Sequence, residues 1–293
     1  MITPINFIDL FAGIGGFHIA MHNVGANCVF ASEFDEAARK TYRENISRID
    51  EEIFLRDNFG GDITKISLKD IPPFNILCAG FPCQPFSQAG KKKGFNDTRG
   101  TLFYNIAEII AHHKPEAFFL ENVRGILNHD NGNTYRVIKN TLEDLGYSFH
   151  HKIVRASDHG LPQHRARAFM VGFRGETTEE SSFRFAPKTH MVFNMSDVFR
   201  GECTREIGFT VRVGGRGSAI TDRRNWDAYE VDGEVVRLGP AHARKMMGLP
   251  TWFTFNQVSK TQAMKQLGNS VAVPAIQATA LAMINYMKEK NYV

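Results

Sequence analysis

The stretch Asn75-Ile76-Leu77-Cys78-Ala79-Gly80-Phe81-Pro82-Cys83-Gln84-Pro85-Phe86-Ser87 decides how the rest of the chain is read. Its short apolar run reads as a buried strand, and Gly80, Pro82 and Pro85 end that strand and stiffen its exit. Cys83 is left at the strand's mouth. Flanking prolines suit neither a helix interior nor a central strand, so Cys83 sits on a held turn, where a cysteine is a candidate nucleophile. Lys91, Lys92 and Lys93 follow, and cations folded over a thiol would lower its pKa toward the attacking thiolate. A lone cysteine is otherwise buried and inert, which is the reading for Cys78 inside the apolar run.

Toward the N-terminus, Ile5–Leu10 reads as a first strand, and the glycine-rich turn Phe11–Phe17 feeds a helix over Gly16–Val24. Glycines there allow a tight turn and close approach of a ligand to helix N–H groups. A second strand, Cys28–Ser32, ends at Glu33, about 20 residues after the turn, where nucleotide-binding folds place an acid for ribose hydroxyls. From the glycine turn alone, nucleoside binding and simple strand–helix packing weigh equally, and the acid after the second strand favours nucleoside binding somewhat. Asp35–Asn45 reads as a helix. Asp62 either meets the adenine edge of a nucleoside or caps a turn.

Toward the C-terminus, residues 88–100 are rich in Gly, Lys and polar side chains, as a lid over a reactive site would be. A helix over Thr101–His113 leads to a buried strand, Ala117–Leu120, with Glu121 at its carboxyl end. Open α/β sheets place ligands at strand carboxyl ends, which brings Glu121 and Cys83 to one edge. A helix over Thr134–Leu145 and strands over Tyr147–Ala156 and Arg167–Phe173 follow. Between those strands Gln163, Arg165 and Arg167 alternate and project to one face, either a solvated edge or a site for an anion or carbonyl. From about Gly175 the strand–helix alternation gives way to Gly- and Arg-rich sequence containing Arg212, Arg216, Ser218, Arg223, Arg224 and Trp226, with a hairpin at Asp232–Gly233. Such residues suit a nucleic-acid surface; a plain small β-domain is the alternative. A helix over Pro240–Met247 restores the α/β texture, and the apolar helix from Pro274 to about Lys288 must pack back on the first domain.

Composition bounds the function. The chain has 293 residues and a formal net charge of +4, with a pI near 8.8, which permits a polyanionic partner without requiring one. Four cysteines without a C-x-x-C pair indicate neither a disulfide framework nor a zinc site. No signal peptide is read at the N-terminus, and no continuous apolar run reaches the roughly 18–20 residues of a membrane span. A cytoplasmic protein without metal is expected.

Several segments, in order, resemble the bacterial DNA (cytosine-5)-methyltransferase family of type II restriction–modification systems. They are Asp9–Gly16 (DLFAGIGG), Glu33, Asp62–Thr64 (DIT), Gly80–Ser87 (GFPCQPFS), Asp97–Phe103 (DTRGTLF), Glu121–Val123 (ENV), Gln163–Arg167 (QHRAR), Arg237–Leu238 with the helix after it, and Gln266–Val271 (QLGNSV). The resemblance runs from about residue 5 to 285 and lapses only near 175–235, where that family carries its variable target-recognition segment.

This resemblance implies an α/β fold: a Rossmann-like S-adenosylmethionine-dependent methyltransferase sheet with a smaller, mostly β target-recognition domain. The expected division is 1–174 with 261–293 as the catalytic domain and 175–260 as the recognition domain. Cys83 would attack carbon 6 of a flipped-out cytosine, Glu121 would bond ring N3 and the exocyclic amine, and Arg167 would meet O2 with Arg165 supporting the site. Cofactor contacts carry over as Phe11, Gly13, Gly15, Glu33, Asp62, Pro82, Leu102, Asn269 and Val271. Phe34, where relatives often have another bulky apolar or aromatic residue, is placed to stack on adenine. Ser87, Arg212, Arg216, Ser218, Arg223 and Arg224 are the DNA-contact candidates, with Arg216 or Ser218 filling the gap left by the flipped base. Double-stranded DNA is the expected partner, the protein a monomer, and any cognate endonuclease a separate protein. Three rivals stand beside this reading: a transfer-RNA cytosine methyltransferase of the same superfamily, a non-enzymatic DNA-binding module and a nicotinamide-dependent oxidoreductase.

Overall fold

The structure is a computed structural model, and it describes residues 4–82 and 101–293. Cys83, Ser87, Lys91–Lys93 and the expected lid over residues 88–100 lie outside the described residues. In chain order the elements are β1 (Asn6–Leu10), α1 (Gly16–Asn23), β2 (Asn27–Ser32), α2 (Glu36–Ile46), α3 (Glu52–Leu55), β3 (Phe59–Gly60), β4 (Ile76–Gly80) and α4 (Leu102–His113). Then come β5 (Ala117–Val123), α5 (Asn133–Asp144), β6 (His150–Arg155), β7 (Ala166–Phe173), α6 (Met195–Phe199), β8 (Ala228–Val231), β9 (Glu234–Arg237), α7 (Pro240–Met246), α8 (Lys260–Asn269) and α9 (Val273–Glu289).

Among the described residues the main sheet runs β3-β2-β1-β4-β5-β7-β6. The β1–β2, β1–β4, β2–β3 and β4–β5 pairs are parallel, and β7 runs antiparallel to both β5 and β6. Chain order reverses between β1 and β4. Parallel strands on either side of such a switch point leave a crevice at their carboxyl ends.

The side-chain period of two divides the core into layers. Phe7, Cys78, Phe119 and Val171 face the layer of α1, α2 and α9. Ile8, Leu10, Leu77, Ala79, Phe118 and Leu120 face the layer of α4 and α5. Both faces are therefore covered, which is why β4 reads as a continuous apolar run. The stretch Lys260–Glu289 is apolar and long enough to cross a membrane by length and composition, but 67% of its most apolar window is buried. It is a core element, broken at Ser270–Ala272 into α8 and α9, and α9 packs on α1. This is the back-packing that its apolarity required.

Helix starts follow local chemistry. Asp35 caps α2, its Oδ1 accepting from the Ala37 and Ala38 amides at 2.9 Å each, and Thr101 caps α4. The named elements of segment 175–260 are α6, α7 and the hairpin β8–β9, turned at Asp232–Gly233. Phe183, Met195, Val211, Trp226 and Tyr229 of this segment join the α1/α9 core layer rather than forming a separate one.

Candidate active site

The cavity of interest, about 550 Å³, opens at the carboxyl edge of the switch point. The turn after β1 lines it with Phe11 and Gly13, the end of β2 with Glu33 and Phe34, and the end of β4 with Gly80 and Pro82. Leu102 of α4 contributes, as do Glu121 and Asn122 from β5 and Arg167 from β7. The far wall is Gly268–Val271. Its volume lies in the range typical of small-molecule sites, roughly 300–1,000 Å³.

At the β1 end, the backbone turns through Phe11 at φ 57° and Gly13 at φ 56°. A left-handed phenylalanine is unusual and costs energy, so the surrounding turn must hold it there. Glu33 does part of that work. Its Oε2 accepts the Gly13 amide and its Oε1 the Asp35 amide, both at 2.7 Å. Burial raises the Glu33 pKa against these bonds. Phe34, next in the chain, is 73% exposed, a large aromatic face left uncovered at the cavity rim. Gly15 and Asp62 are not among the lining residues. Gly15 packs on Ile46 and Tyr42 instead, where a Cβ would clash at 2.7 Å. Asp62 makes the turn cap that its sequence allowed, accepting from the Thr64 amide at 3.0 Å and the Thr64 hydroxyl at 2.7 Å.

At the other end Glu121 is 7% exposed and faces Gly80 across the β4–β5 register, so no β4 side chain covers its carboxylate. Burial raises its pKa, with Arg167 and then Arg165 pulling the other way. Arg167 Nε lies 3.0 Å from Glu121 Oε1, an oxygen that closes no hydrogen bond among the described residues. The pair therefore has bonding capacity to offer a polar ring. Asn122, not singled out from the sequence, donates to the Phe81 carbonyl at 2.8 Å and so fixes the backbone just before Pro82 and Cys83. Its place directly after Glu121 was the available signal.

Gln163, Arg165 and Arg167 do share a face, and it is turned inward. Gln163 and Arg165 are buried. Gln163 Oε1 accepts the Val211 amide at 2.9 Å and Gln163 Nε2 donates to the Met246 carbonyl at 2.9 Å. Arg165 donates to the Val211 carbonyl at 3.2 Å, to Gly268 at 3.0 Å and to the Ser270 carbonyl. Arg165 thus does not line the cavity; it ties the irregular chain around Val211–Val213, a strap over the fold, to the cavity's far wall. Burial, with Arg167 beside it, lowers its pKa to about 9, which leaves it cationic at neutral pH. Asn269 and Val271 stand on that wall.

Apart from Ser87, which lies outside the described residues, the DNA-contact candidates follow Val211 in the chain. Arg212, Arg223 and Ser218 carry exposed or half-exposed surface. Arg224 folds onto Asp222 at 2.7 Å, and Arg216 reaches the buried Asp227 at 3.5 Å. Cys28 and Cys78 are buried, and burial pushes both thiols up, away from reactivity.

The profile of the C-5 cytosine-specific DNA methylase family matches residues 5–204 and 191–285. The chain belongs to this family. It is 37% identical to the type II methyltransferase M.HhaI of Haemophilus parahaemolyticus, over 99% of this chain and 98% of that protein. It is 42% identical to the type II methyltransferase M.HpaII of Haemophilus parainfluenzae, over 93% of this chain and 87% of that protein. Solved structures share the fold at lower identity. A mutant of Spodoptera frugiperda DNMT2 aligns with TM-score 0.68 at 18% identity, over 97% of this chain and 99% of that one. A DNA modification methyltransferase encoded within an Escherichia coli prophage aligns with TM-score 0.70 at 19% identity, over the same shares. In this C-5 cytosine-specific DNA methyltransferase, Phe11, Gly13, Glu33, Gly80, Pro82, Glu121, Arg167 and Gly268–Val271, drawn from separate family segments, line one crevice.

Proposed function

We propose that this enzyme transfers a methyl group from S-adenosylmethionine to carbon 5 of a flipped-out cytosine in a short duplex DNA sequence, leaving S-adenosylhomocysteine. The observation that supports this most is the single cavity running from Glu33 and Phe34 to the Glu121–Arg167 pair. One end suits a nucleoside, with a carboxylate for ribose hydroxyls and an exposed aromatic face for adenine; the other suits a polar pyrimidine edge. Phe11, Gly13, Glu33, Phe34, Pro82, Leu102, Asn269 and Val271 would hold the cofactor. Asp62 would reach the adenine amine from its turn. When bound, S-adenosylmethionine supplies an electrophilic methyl group on a sulfonium.

Carbon 5 of cytosine is a weak nucleophile, so the protein's task is to activate it. The Cys83 thiolate forms an S–C6 bond and pushes electron density to carbon 5. Glu121, whose burial favours the protonated form, donates at ring N3 and accepts from the exocyclic amine, while Arg167 donates to O2. After methylation a base takes the carbon 5 proton, the C–H electron pair forms the C5–C6 double bond, Cys83 leaves as the thiolate and the N3 proton returns to Glu121. Extruding the base costs a few kcal/mol, offset by contacts from segment 175–260 as the recognition domain and from Ser87. The protein acts as a cytoplasmic monomer that protects DNA, with any cognate endonuclease a separate polypeptide.

The test uses duplex DNA containing 5-fluorocytosine, which cannot lose a proton at carbon 5. A covalent protein–DNA adduct is expected with the cofactor present and not with Cys83→Ser, which still binds cofactor. Methyl transfer to transfer RNA in preference to duplex DNA, or full turnover by Cys83→Ser, would overturn the reading.

A further inference from the structure

Asp227 is fully buried, yet it belongs to no catalytic segment. Its carboxylate is bracketed by two arginines and a backbone amide. Arg237 Nη1 lies 3.2 Å from both oxygens, Arg216 Nε lies 3.5 Å from Oδ2, and the Gly217 amide donates to Oδ1 at 3.4 Å. Each guanidinium also grips backbone. Arg216 donates to the Leu238 carbonyl at 2.6 Å and Arg237 to the Ser218 carbonyl at 3.0 Å. Trp226 anchors the start of the same loop by donating to the Gly214 carbonyl at 3.0 Å. Both arginine side chains keep more than a third of their surface open, 36% for Arg216 and 40% for Arg237.

From this arrangement, which rests on the DNA reading above, we propose that Asp227 is a positioning residue that presets Arg216 and Arg237 as a pair of guanidinium forks for the edges and phosphates of duplex DNA. A buried carboxylate behind two half-exposed cations fixes their direction before DNA arrives, as outer partners orient ligands elsewhere. The loop it fixes continues from Val211, which Arg165 ties to the cavity wall at Ser270. The forks therefore stand in fixed relation to the site that receives the base. Arg237 enters as a DNA contact on this argument alone.

The sign of one substitution separates positioning from mere charge. Asp227→Asn adds local positive charge. If Asp227 only neutralised its neighbours, DNA would bind more tightly and with a steeper salt dependence. Under positioning, the ratio of methylation at the cognate sequence, mapped by bisulfite sequencing, to methylation elsewhere falls about tenfold or more. That fall comes through KM for DNA, with kcat and cofactor Kd held. Arg237→Lys keeps the charge but not the fork, so it tests the same point should Asp227→Asn fail to fold; it is expected to lose the ratio as well. Arg216→Gln and Arg237→Gln should each lower the salt slope by about one. An unchanged ratio in Asp227→Asn, or in Arg237→Lys if the first is unfolded, overturns the assignment. Failure of the wild-type protein to methylate any duplex DNA would instead overturn the functional reading beneath it.

Discussion

Arg167 and Glu121 meet at 3.0 Å on adjacent antiparallel strands, β7 and β5, inside the cavity. Burial raises the Glu121 pKa and the guanidinium limits the rise, so the pair holds a carboxyl whose proton is available at a pH where an exposed glutamate has lost it. Arg167→Ala removes that restraint and, on the proposed mechanism, a donor to the base. We expect kcat to fall about 10²-fold or more, the scale of losing one donor aimed at developing charge, with cofactor affinity held. In the wild type, kcat declines as pH rises through the elevated Glu121 value, because the acid form is the donor. Glu121→Gln should have a lower kcat and lack this limb. Single-turnover rates across pH, paired with calorimetric cofactor titration, check both.

Glu33 holds the glycine turn through the Gly13 and Asp35 amides before any ligand is present. Removing it takes away the proposed ribose contact and loosens the turn that carries Phe11 in its left-handed conformation. A hydrogen bond to a charged group contributes about 1.5–3 kcal/mol. Glu33→Ala should therefore weaken cofactor binding by about 10- to 150-fold, with single-turnover methyl transfer at saturating cofactor much less affected. Calorimetry and rapid quench separate the two. A loss confined to the rate at saturation would remove Glu33 from the cofactor end.

How much of this was legible in the sequence depended on the range of the forces involved. The run at β4 and the acids closing β2 and β5 are local signals, and Glu33, Glu121 and Gly80 stand where those signals put them, at one edge. The alternation of Gln163, Arg165 and Arg167 gave a shared face but not its direction. That depended on Val211 and Gly268–Ser270 arriving from about 50 and 100 residues away in sequence. Tyr147 was expected in a strand, yet β6 begins at His150. Tyr147 is held instead by one bridge to Arg174 and by its hydroxyl donating to the Pro115 carbonyl. Asp227 gave no signal, since one acid among arginines reads as dilution of charge until its burial is seen.

Asp9, on β1 beneath the glycine turn, is fully buried, and neither carboxylate oxygen closes a hydrogen bond among the described residues. Burial pushes its pKa well up, the His18 amide opposes this and Glu33 adds to it. A carboxyl with a raised folded-state pKa binds its proton more tightly in the folded chain. Its contribution to stability is then complete below the ordinary carboxylate range and is lost as pH rises through the folded value. Asp9→Asn cannot ionise. Its Tm should match the wild type near pH 4 and exceed it at pH 7–8. Thermal unfolding at the two pH values checks this; a variant less stable at the higher pH would show that an ionised Asp9 supports the fold.

Gly268 brings the cavity's far wall against the backbone at Arg212–Val213 by carrying no side chain. A Cβ there would stand 2.5 Å from the Arg212 carbonyl carbon, 2.6 Å from the Val213 nitrogen and 2.7 Å from the Arg212 oxygen. Gly268 lies in α8, where alanine would ordinarily gain about 1 kcal/mol over glycine. Overpacking against atoms that cannot rotate away costs about 1–3 kcal/mol, so the clash wins and Gly268→Ala destabilises. The chain yields at the more exposed side, Arg212–Val213, lengthening the Arg165–Val211 hydrogen bond and shifting the loop that carries Arg216. KM for DNA should therefore rise more than KM for the cofactor, although Gly268 lines the cavity proposed for the cofactor. Steady-state kinetics with each substrate varied in turn, alongside Tm, check the point. The reverse order would mean that the wall moves and the strap holds.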